Sequence, residues 1–499
     1  MAVTVYGIAN VCLYEDESPW SSQSGLNMFD TNSLQVLSAP PDGFEYSVDV
    51  LIIGAGACGL TAALAAAEQG ASTLILERDA TPSGSTAMSY GAICAAGSGP
   101  QAAAGIADTP EALVEDLTVN TQGQLDRELA QAVADISGET IDWLMASHNI
   151  ELTFEAAWTG FGHRAPRLVA PDNRSGVKLM AMLQNAVSRQ EVTVLTNARW
   201  DRVYRDDAGD VLGVGAVRPD GSVEQVGCRA LIIATCGFGA NAEMLAEFIP
   251  EITEARYYGH EGNDGAGIQL GRLLGANVEY MSAYQSLGAL AVPHNLVIPH
   301  VILIGGGIQI NVRGERFQNE LDNISGQALT ILEQPEAQCW MVTNEQLHQD
   351  ALGRFEEYRQ AEALGAVKRG EDALDLARNI GVSEERLESE VAATLAHVTE
   401  RGPDRFGRDF SGASPLSGPL YAVRVTGALF HTQGGLSVNR HAQLINGEGA
   451  VLGNIYAGGG AAMSVAGTGN AGYMPGVGLM MAVNLGRIAG AHAAAHYSR

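Results

Sequence analysis

Residues 48–77 read VDVLIIGAGACGLTAALAAAEQGASTLILE, and this stretch decides the fold. It begins with an apolar, β-branched run of the kind that is buried in parallel sheets. After three closely spaced glycines, the alanine-rich segment Leu60–Gln69 has no helix breaker and predicts a helix that Gly70 caps. Ser72–Leu76 predicts a second strand that ends on Glu77. Together these elements form a complete strand–helix–strand unit.

The glycines in this unit have the spacing that a dinucleotide requires. Gly54, Gly56 and Gly59 form a GxGxxG pattern, and Glu77 follows the first glycine by 23 residues. The three glycines allow a tight turn, a close backbone approach to a pyrophosphate, and close packing of helix on strand. The helix N-terminus offers amide donors to the phosphates, and Glu77 would accept hydrogen bonds from a ribose diol. The unit therefore predicts a dinucleotide-binding domain.

Further runs favour FAD over NAD as the dinucleotide. The hydroxyl-rich turn SGSTAMSYG at 83–91 can bind phosphate and the flavin edge. ALIIATCG at 230–237 resembles the strand end of flavoproteins with two dinucleotide folds, and NIYAGGG at 454–460 resembles their C-terminal flavin motif. A helix that opens at residues 475–479 would direct its N-terminus at the flavin N1/O2 edge and stabilise the reduced form.

The composition fits a globular protein and excludes several classes of partner. Of the 499 residues, 46% are hydrophobic and 17% are charged, and the formal net charge is −28. The length predicts more than one domain, and the negative charge argues against nucleic acid and against an anionic membrane surface. Met281–Val312 has no charged residue but contains two prolines and a glycine triplet. It therefore predicts buried strand and loop, and no membrane span is expected.

The six cysteines are scattered and form no CxxC pair. This pattern argues against a disulfide framework, an iron–sulfur cluster or attached haem, and no metal site is predicted. The N-terminus shows no signal-peptide pattern, so the cytoplasm is the expected compartment. The expected partners are a small-molecule substrate and an electron acceptor that the sequence does not identify.

The order of predicted elements divides the chain into four parts. Residues 1–47 are polar and acidic and are predicted to form an N-terminal extension. Residues 48–258 form the first part of the FAD-binding domain, 259–415 an inserted substrate (capping) domain, and 416–499 the return of the FAD-binding domain. The predicted fold class is α/β, with a Rossmann-type FAD-binding domain interrupted by an inserted α+β domain.

The periodicity and breakers also predict individual elements within these parts. They are a helical stretch at 110–147, an antiparallel meander at 192–196, 203–205, 211–217 and 223–226, a separate strand at 230–234, and helices at 344–363, 383–400 and 479–496.

Five further runs identify a family. They are GFGANAEM (237–244), GNDG (262–265), GERFQNE (314–320), HTQGGL (431–436) and GRIAG (486–490). With them, the chain from Val48 onward resembles the fumarate reductase/succinate dehydrogenase flavoprotein superfamily, and within it the soluble branch that contains the 3-ketosteroid dehydrogenases. Membrane-bound members attach FAD through a histidine where this chain has Ser85 and Thr86, so the resemblance implies non-covalent FAD.

The resemblance and the motifs together imply a set of cofactor-binding residues, of which Ala198 falls where the family contacts adenine through its backbone. The set is Gly54, Gly56, Gly59, Glu77, Arg78, Ser85, Thr86, Gly91, Ala198, Thr235, Gly237, Asp264, Gly459, Gly478 and Leu479.

Three positions depart from the fumarate reductase pattern. The proton-donating arginine after the GxRFxNE run is replaced by Ile324, the substrate histidine by Leu287, and the second carboxylate-binding arginine by Tyr473. The histidine of the HTxGG motif is kept as His431. A dicarboxylate would lack its bidentate partners here, so the resemblance argues against fumarate reduction.

Tyr473 instead resembles the arrangement in ketosteroid dehydrogenases. That resemblance implies that its hydroxyl and a backbone N–H hold a substrate ketone and acidify the adjacent C–H. The base tyrosine of that family would also fall at Ile324, so the base must come from elsewhere. The candidates are His163 and Arg164 in WTGFGHR (158–164), with Tyr284 and His300 as weaker choices.

The sequence leaves three functions open. The favoured one is an FAD-dependent dehydrogenase that introduces a C=C bond α,β to the carbonyl of a cyclic ketone, either steroid-like or oxocyclohexane carboxylate-like. In the second case His431 or Arg164 would bind the carboxylate. The alternatives are an ene-reductase of the fumarate or urocanate reductase type and a non-enzymatic flavin-dependent interaction or redox-sensing protein.

Overall fold

The computed structural model describes residues 34–498. Of the predicted N-terminal extension, residues 1–33 lie outside this range, and Gln35–Leu37 form the first strand. The strands are β1 (Gln35–Leu37), β2 (Tyr46–Ile53), β3 (Thr73–Leu76), β4 (Ile93–Cys94), β5 (Thr153–Phe154), β6 (Leu168–Ala170), β7 (Val192–Leu195), β8 (Arg199–Arg205), β9 (Val211–Val217), β10 (Val223–Ile233), β11 (Arg256–Tyr257), β12 (Val278–Glu279), β13 (Tyr284–Ala291), β14 (Ile308–Asn311), β15 (Gln338–Asn344), β16 (Val367–Gly370), β17 (Leu420–Thr432), β18 (Gly435–Leu436), β19 (Gln443–Ile445) and β20 (Val451–Ala457).

The α-helices of the described residues lie between these strands, singly or in groups. They are α1 (Ala57–Glu68), α2 (Gly84–Ala87), α3 (Gly99–Ala103), α4 (Pro110–Asn120), α5 (Arg127–His148), α6 (Gly176–Ser188), α7 (Ala242–Phe248), α8 (Ala266–Leu273), α9 (Val301–Ile304), α10 (Gln327–Leu332), α11 (Glu345–Arg354), α12 (Glu356–Ala363), α13 (Ala373–Ile380), α14 (Glu384–Glu400) and α15 (Val477–Tyr497).

The main sheet has a parallel core. In its centre, Ile52 of β2 pairs with Ile75 of β3 on one side and with Ile232 of β10 on the other. β7 extends the sheet beyond β3, and β20 pairs in parallel with β10. The C-terminal part of the chain therefore returns to the sheet that residues 48–77 begin.

The antiparallel meander beside this core differs from the prediction. β7 was predicted to belong to it but pairs in parallel with β3, so the meander consists of β8, β9 and β10. The strands predicted at 223–226 and 230–234 are one strand, β10. Its first half pairs antiparallel with β9 and its second half pairs parallel with β2, which explains why its pattern changes midway.

Two predicted helical stretches are each divided in two. The stretch at 110–147 forms α4 and α5, because Asp126 caps the N-terminus of α5 by accepting from the N–H of Leu129. The stretch at 344–363 forms α11 and α12, because Phe355 has extended backbone angles. The final helix, α15, matches its prediction closely.

A second sheet occupies the segment between residues 256 and 432. Its strand order is β11-β17-β15-β14, and β13 and β16 also pair with β17. The predicted boundary of the inserted domain at residue 415 therefore lies too early, since β17 belongs to this sheet. The segment 281–312 contains the buried strands β13 and β14, as predicted, together with the short helix α9. Within residues 34–498, no helix is long and apolar enough to cross a membrane.

Glycines bring α1 and α15 together beneath the main sheet. A Cβ at Gly486 would lie 2.4 Å from the carbonyl oxygen of Cys58, and one at Gly490 would lie 2.1 Å from that of Ala62. The two helices therefore cross with their backbones in contact. This crossing places Gly486, in the middle of α15, beside the start of α1, so the N-terminus of α15 at Val477 extends past the glycine turn by about 13 Å.

Candidate functional site

A cleft of about 940 Å³ opens at the carboxyl ends of β2, β3 and β10. The carboxyl ends of parallel strands meet at one edge of a sheet, and open α/β sheets bind their ligands there. Ten of the fifteen predicted cofactor-binding residues line this cleft: Gly54, Gly56, Glu77, Arg78, Ser85, Thr86, Ala198, Thr235, Asp264 and Gly459. The other five, which are treated below, lie outside the lining: Gly59, Gly91, Gly237, Gly478 and Leu479.

The glycine turn after β2 is shaped by close contacts. Gly54 has a φ of 103°, and a Cβ there would lie 2.5 Å from the carbonyl oxygen of Ala234. A Cβ at Gly59 would lie 1.9 Å from the carbonyl oxygen of Gly54. At Gly56 the nearest atom to an added Cβ is the hydroxyl oxygen of Thr86, at 3.7 Å. The fold thus requires Gly54 and Gly59, whereas Gly56 leaves room for a ligand.

Glu77 is fixed at the end of β3 by backbone amides. Its Oε2 accepts a hydrogen bond from the N–H of Ala55 at 2.8 Å, and its Oε1 accepts from the N–H of Asp79 at 2.9 Å. Each carboxylate oxygen has a further lone pair for a hydroxyl donor. The N–H of Ala198 donates to the Glu77 carbonyl at 2.9 Å, which places Ala198 beside Glu77 in the cleft lining. The carboxylate is therefore held where a ribose diol would reach it.

The hydroxyl-rich turn contributes side chains to the cleft. Thr86 Oγ1 accepts from the N–H of Ala57 at 3.1 Å, and Ser85 Oγ accepts from Nδ2 of Asn263 at 2.8 Å. Because the Thr86 oxygen acts as an acceptor, its hydroxyl retains its proton for a phosphate. Ser85 Oγ also lies 3.5 Å from Sγ of Cys236, which shares its hydrogen bonding.

Gly91 and Gly237 lie outside the cleft lining and have packing roles. Gly91 has a φ of 65°, and a Cβ there would lie 3.1 Å from the carbonyl oxygen of Ser175. A Cβ at Gly237 would lie 2.2 Å from Oγ1 of Thr432. The absence of a side chain at these positions lets neighbouring loops close around the cleft.

One end of the cleft is charged. Nη1 of Arg78 lies 3.8 Å from Oδ2 of Asp264, and Nε of Arg78 donates to Asp79 at 3.2 Å. Burial raises the pKa of Asp264, against the opposing effects of a backbone amide and the nearby arginines. His260 Nε2 lies 3.2 Å from the Asp79 carboxylate. This end suits the polar, adenosine half of a dinucleotide.

The N-terminus of α15 lies near the opposite end of the cleft, beyond Gly459. Gly478 in its first turn is exposed, and Leu479 is partly exposed. A Cβ at Gly478 would lie 3.7 Å from Cε1 of His431. The free amides of this helix start carry partial positive charge, so this region suits a ring that becomes negative on reduction.

The family model described as an FAD binding domain matches residues 49–478 of this chain. The chain belongs to this family. Its cofactor is FAD. The chain is also a member of the fumarate reductase/succinate dehydrogenase flavoprotein superfamily.

Relatives of this FAD-binding protein differ in the reaction that their names state. A probable fumarate reductase of Shewanella frigidimarina is 25% identical, over 91% of this chain and 76% of the relative. The 4-oxocyclohexanecarboxylate 2-dehydrogenase of Sinomonas cyclohexanicum is 25% identical, over 89% of this chain and 92% of the relative. The solved structure of a 3-ketosteroid-Δ4-(5α)-dehydrogenase of Rhodococcus jostii has a TM-score of 0.73 at 23% identity, over 92% of this chain and all of that chain. The protein is thus a flavin-dependent oxidoreductase whose relatives do not fix its substrate.

The predicted cofactor-binding residues fit FAD on structural grounds as well. A Cβ at Gly56 would occupy the open cleft, and the hydroxyl of Thr235 in the cleft lining is buried without a hydrogen-bond partner among residues 34–498. Both features are explained if a ligand fills the cleft. No three His, Cys, Asp or Glu side chains in the described residues are placed to hold a metal ion.

Three tyrosines of this FAD-dependent protein form a cluster near α15: Tyr90, Tyr258 and Tyr473. Each is at least partly exposed, and no hydroxyl among them has a hydrogen-bond partner in the described part of the chain. Burial raises the pKa of Tyr473 to about 12. Burial also raises the pKa of Tyr90, with smaller contributions from Glu357 and from the Tyr473 and Tyr258 phenols, so these groups lie within electrostatic range of each other. Three protonated, unpartnered phenols are therefore available to a substrate.

Of these three tyrosines, only Tyr473 is indicated as a substrate-binding residue by the sequence motifs. Tyr90 belongs to the hydroxyl-rich turn at 83–91, and no motif marks Tyr258. They lie 168 positions apart in the chain, so no local pattern could link them.

His431 lies beside the same helix start. Its Nε2 donates to Oε1 of Gln285 at 2.6 Å, across the β13–β17 pair in which the two residues are register partners. Burial lowers the pKa of His431, so its ring is neutral at physiological pH. A neutral ring that already donates to an amide is a poor partner for a substrate carboxylate.

His163 is placed under the Tyr473 loop and not among the free phenols. Its Nε2 donates to the carbonyl of Pro475 at 3.0 Å, and Nη1 of Arg167 lies 3.5 Å from its Nδ1. Burial lowers the pKa of His163 to about 4. Its structural surroundings therefore favour a positioning role over that of a base.

Arg164 turns away from the Tyr473 loop towards α4. Its Nε donates to Asp116 at 2.5 Å and its Nη1 to Glu115 at 2.8 Å. Both of these partners are carboxylates, so the guanidinium is already paired. The structure does not bring Arg164 together with His431 and Tyr473.

The weaker candidates for the base are also occupied or distant from the cluster. The hydroxyl of the fully buried Tyr284 accepts from Nδ2 of Asn470 at 3.1 Å. His300 has two buried ring nitrogens without partners in the described residues, and its pKa is lowered to about 4 by burial and by Arg408. Ile324, which the resemblance aligns with the family's acid–base residue, is buried at 8% exposure.

Proposed function

We propose that this protein is an FAD-dependent dehydrogenase that introduces a C=C bond α,β to the carbonyl of a cyclic ketone, steroid-like or oxocyclohexane-like. The observation that supports this most strongly is the unpartnered hydroxyl of Tyr473, four residues before the start of α15 and close to two further free phenols. A phenol with a pKa of about 12 stays protonated and can donate to a ketone oxygen.

In this proposal Tyr473 polarises the substrate carbonyl. Negative charge develops on the ketone oxygen as the α-proton leaves, and a donor already in place stabilises that charge. The α-proton passes to the oxygen of Tyr90 or Tyr258 as that phenol gives up its own proton to solvent, so that one proton leaves the site to bulk water. FAD, held by the residues of the cleft, would supply the acceptor at flavin N5 for the β-hydrogen, which leaves the substrate as hydride.

We further propose that FAD is held non-covalently. Ser85 and Thr86 stand where relatives with linked FAD have a histidine. The histidine in the cleft lining, His260, has both ring nitrogens engaged, one by Asp79 and one by the N–H of Gly262 at 3.0 Å. Neither position offers a free imidazole to a flavin methyl group.

We also propose that the segment built around the second sheet caps the site. Phe355, at the start of α12, contacts Tyr90 from the FAD-binding part of the chain with ring centroids 6.2 Å apart. A cap in this position would exclude water from the reacting carbon atoms.

The compartment is proposed to be the cytoplasm. The five cysteines of residues 34–498 are free thiols, and four of them are buried. Free thiols suit a reducing environment.

The alternative is an ene-reductase of the fumarate or urocanate reductase type. Two observations favour it: the retained His431 and the similarity to fumarate and urocanate reductases. Against it stands Ile324, which cannot donate a proton to the double bond.

The test is an anaerobic titration of the oxidised holoenzyme with cyclic ketones, steroids and succinate, followed by flavin absorbance. We expect a saturated ketone to bleach the flavin, and Tyr473→Phe to slow this by about 100-fold or more while FAD stays bound. If no ketone bleaches the flavin, and fumarate or urocanate reoxidises the dithionite-reduced enzyme, the reductase is correct instead.

A further inference from the structure

The surroundings of Tyr90 combine aromatic rings with a carboxylate that has no partner among residues 34–498. Tyr90 contacts Phe355 edge to face, and Tyr258 contacts Phe430 in the same way with centroids 5.5 Å apart. The N–H of Tyr258 donates to the carbonyl of Leu429 at 2.7 Å, which holds this tyrosine beside the end of β17. The rings thus come from both parts of the chain and lie around the free phenols.

The carboxylate belongs to Glu357, two residues after Phe355 in the first turn of α12. Glu357 is half-buried, and no residue of 34–498 forms a hydrogen bond or ion pair with it. Its charge contributes to raising the pKa of both Tyr90 and Tyr258, after the larger effect of burial. The carboxylate therefore lies within electrostatic range of both phenols, and Phe355, two residues before it, contacts the Tyr90 ring.

Two arginines lie near this region, and neither forms an ion pair with Glu357. Arg354 lies over the Phe355 ring, with its Cζ 5.4 Å from the ring centroid. Arg174 acts on Tyr90, but its guanidinium is engaged by Glu155, with Nε donating at 3.0 Å and Nη2 at 2.5 Å. Fumarate reductases have two arginines and a histidine at three positions that bind or protonate the substrate. The resemblance aligns these positions with Ile324, Leu287 and Tyr473, which carry no positive charge. A half-buried carboxylate without a partner costs free energy that a cationic ligand would recover.

We propose that Glu357 is a specificity-determining residue, which selects a ketone that carries a protonated amine and rejects one that carries a carboxylate. The inference rests on the proposed ketone dehydrogenase function and names the substrate class for the same site. The aromatic faces of Tyr90 and Tyr258 add to the attraction, because ring quadrupoles favour a cation over their faces. The carbonyl would lie at Tyr473 and the ammonium group towards α12.

The experiment compares three ketones of nearly equal shape: 4-(dimethylamino)cyclohexanone, 4-isopropylcyclohexanone and 4-oxocyclohexanecarboxylate. Binding is measured by calorimetry on the dithionite-reduced holoenzyme, which cannot accept a hydride, so turnover does not interfere. We expect the cationic ketone to bind about fivefold more tightly than the neutral one, and the carboxylate to bind most weakly.

Three variants decide the role of Glu357. Glu357→Gln should make the three affinities nearly equal, and Glu357→Lys should reverse their order. Glu388→Gln, on the exposed face of α14, is the matched control and should leave the order unchanged. FAD content and melting temperature verify that each variant is folded.

Two results would overturn the inference: a wild-type enzyme that binds the carboxylate as tightly as the amine, or an order that survives in folded Glu357→Gln. The dehydrogenase proposal fails separately. If the affinity order holds but no ketone bleaches the oxidised flavin, the role of Glu357 stands and the reaction must be reassigned.

Discussion

Gly54 and Gly56 lie two residues apart but lack a side chain for different reasons. Gly54 has a positive φ and faces the Ala234 carbonyl, whereas Gly56 has ordinary angles and faces the open cleft. We expect Gly54→Ala to destabilise the apoprotein by about 1–3 kcal/mol. Gly56→Ala should leave the apoprotein within about 0.5 kcal/mol of wild type and weaken FAD binding by about tenfold or more.

Urea unfolding of the apoprotein and FAD titration by flavin fluorescence separate these two effects. Equal loss of apoprotein stability in both variants would contradict the assignment of Gly56 to the cofactor.

Single residues show which features of the site a local motif predicts and which depend on distant parts of the chain. Glu77 and Thr86 lie in the cleft as their motif positions predict, because the motif residues are neighbours in the chain. Arg164 was predicted as a catalytic candidate from its position in a family motif. Its pairing with Glu115 and Asp116 depends on α4, some 50 residues earlier, and no local sequence pattern predicts it.

At the scale of elements, the contact between α1 and α15 fixes the cleft. Their backbones touch at Gly486 and Gly490, so a side chain at either glycine must push the helices apart. We expect Gly490→Ala to destabilise the protein by about 1–3 kcal/mol and to weaken FAD binding, since the start of α15 would move.

A matched glycine in another helix provides the control. Gly353 in α11 is exposed, and a Cβ there would meet nothing within 4 Å. Gly353→Ala should be neutral or stabilise the protein by up to about 1 kcal/mol, because alanine loses less backbone entropy on folding. Denaturant unfolding of both variants tests the pair; similar effects at both glycines would mean that the helix crossing is not tightly packed.

The same scale explains which elements could be predicted. The βαβ unit and α15 have strong local signals, and they appear close to their expected ranges. β7 was assigned to the wrong partner because a strand's apolar pattern does not say which strand it pairs with, and β10 was divided into two strands because its pattern changes midway. Helix boundaries inside 110–147 and 344–363 were missed because they depend on one capping or extended residue each.

At the scale of the whole molecule, three histidines in separate regions predict a pH dependence of stability. His163, His300 and His492 each have a pKa lowered to about 4, in all three mainly by burial. In the unfolded chain a histidine has a pKa near 6.5. Between these values the unfolded chain binds protons that the folded chain does not, so stability is complete above about pH 6.5 and falls towards pH 4.

The melting temperature of the holoenzyme between pH 7.5 and 5.0 tests this expectation. This pH window lies above the range in which carboxyl groups such as Glu320 and Asp404, whose pKa values are lowered, take up protons. His492→Gln should flatten the decline, whereas Glu388→Gln should not. A melting temperature that is constant from pH 7.5 to 5.0 would refute the role of the buried histidines.

The sequence by itself determined the FAD-binding fold, the glycine turn, Glu77 and the return of the C-terminal helix. These features rest on residues close together in the chain, where strand, turn and helix chemistry act over a few positions. Only the tertiary structure decided what surrounds the substrate. Tyr90, Tyr258, Phe355, Glu357 and Tyr473 come from distant segments, and their shared electrostatics and contacts exist only after packing has joined those segments around the end of α15.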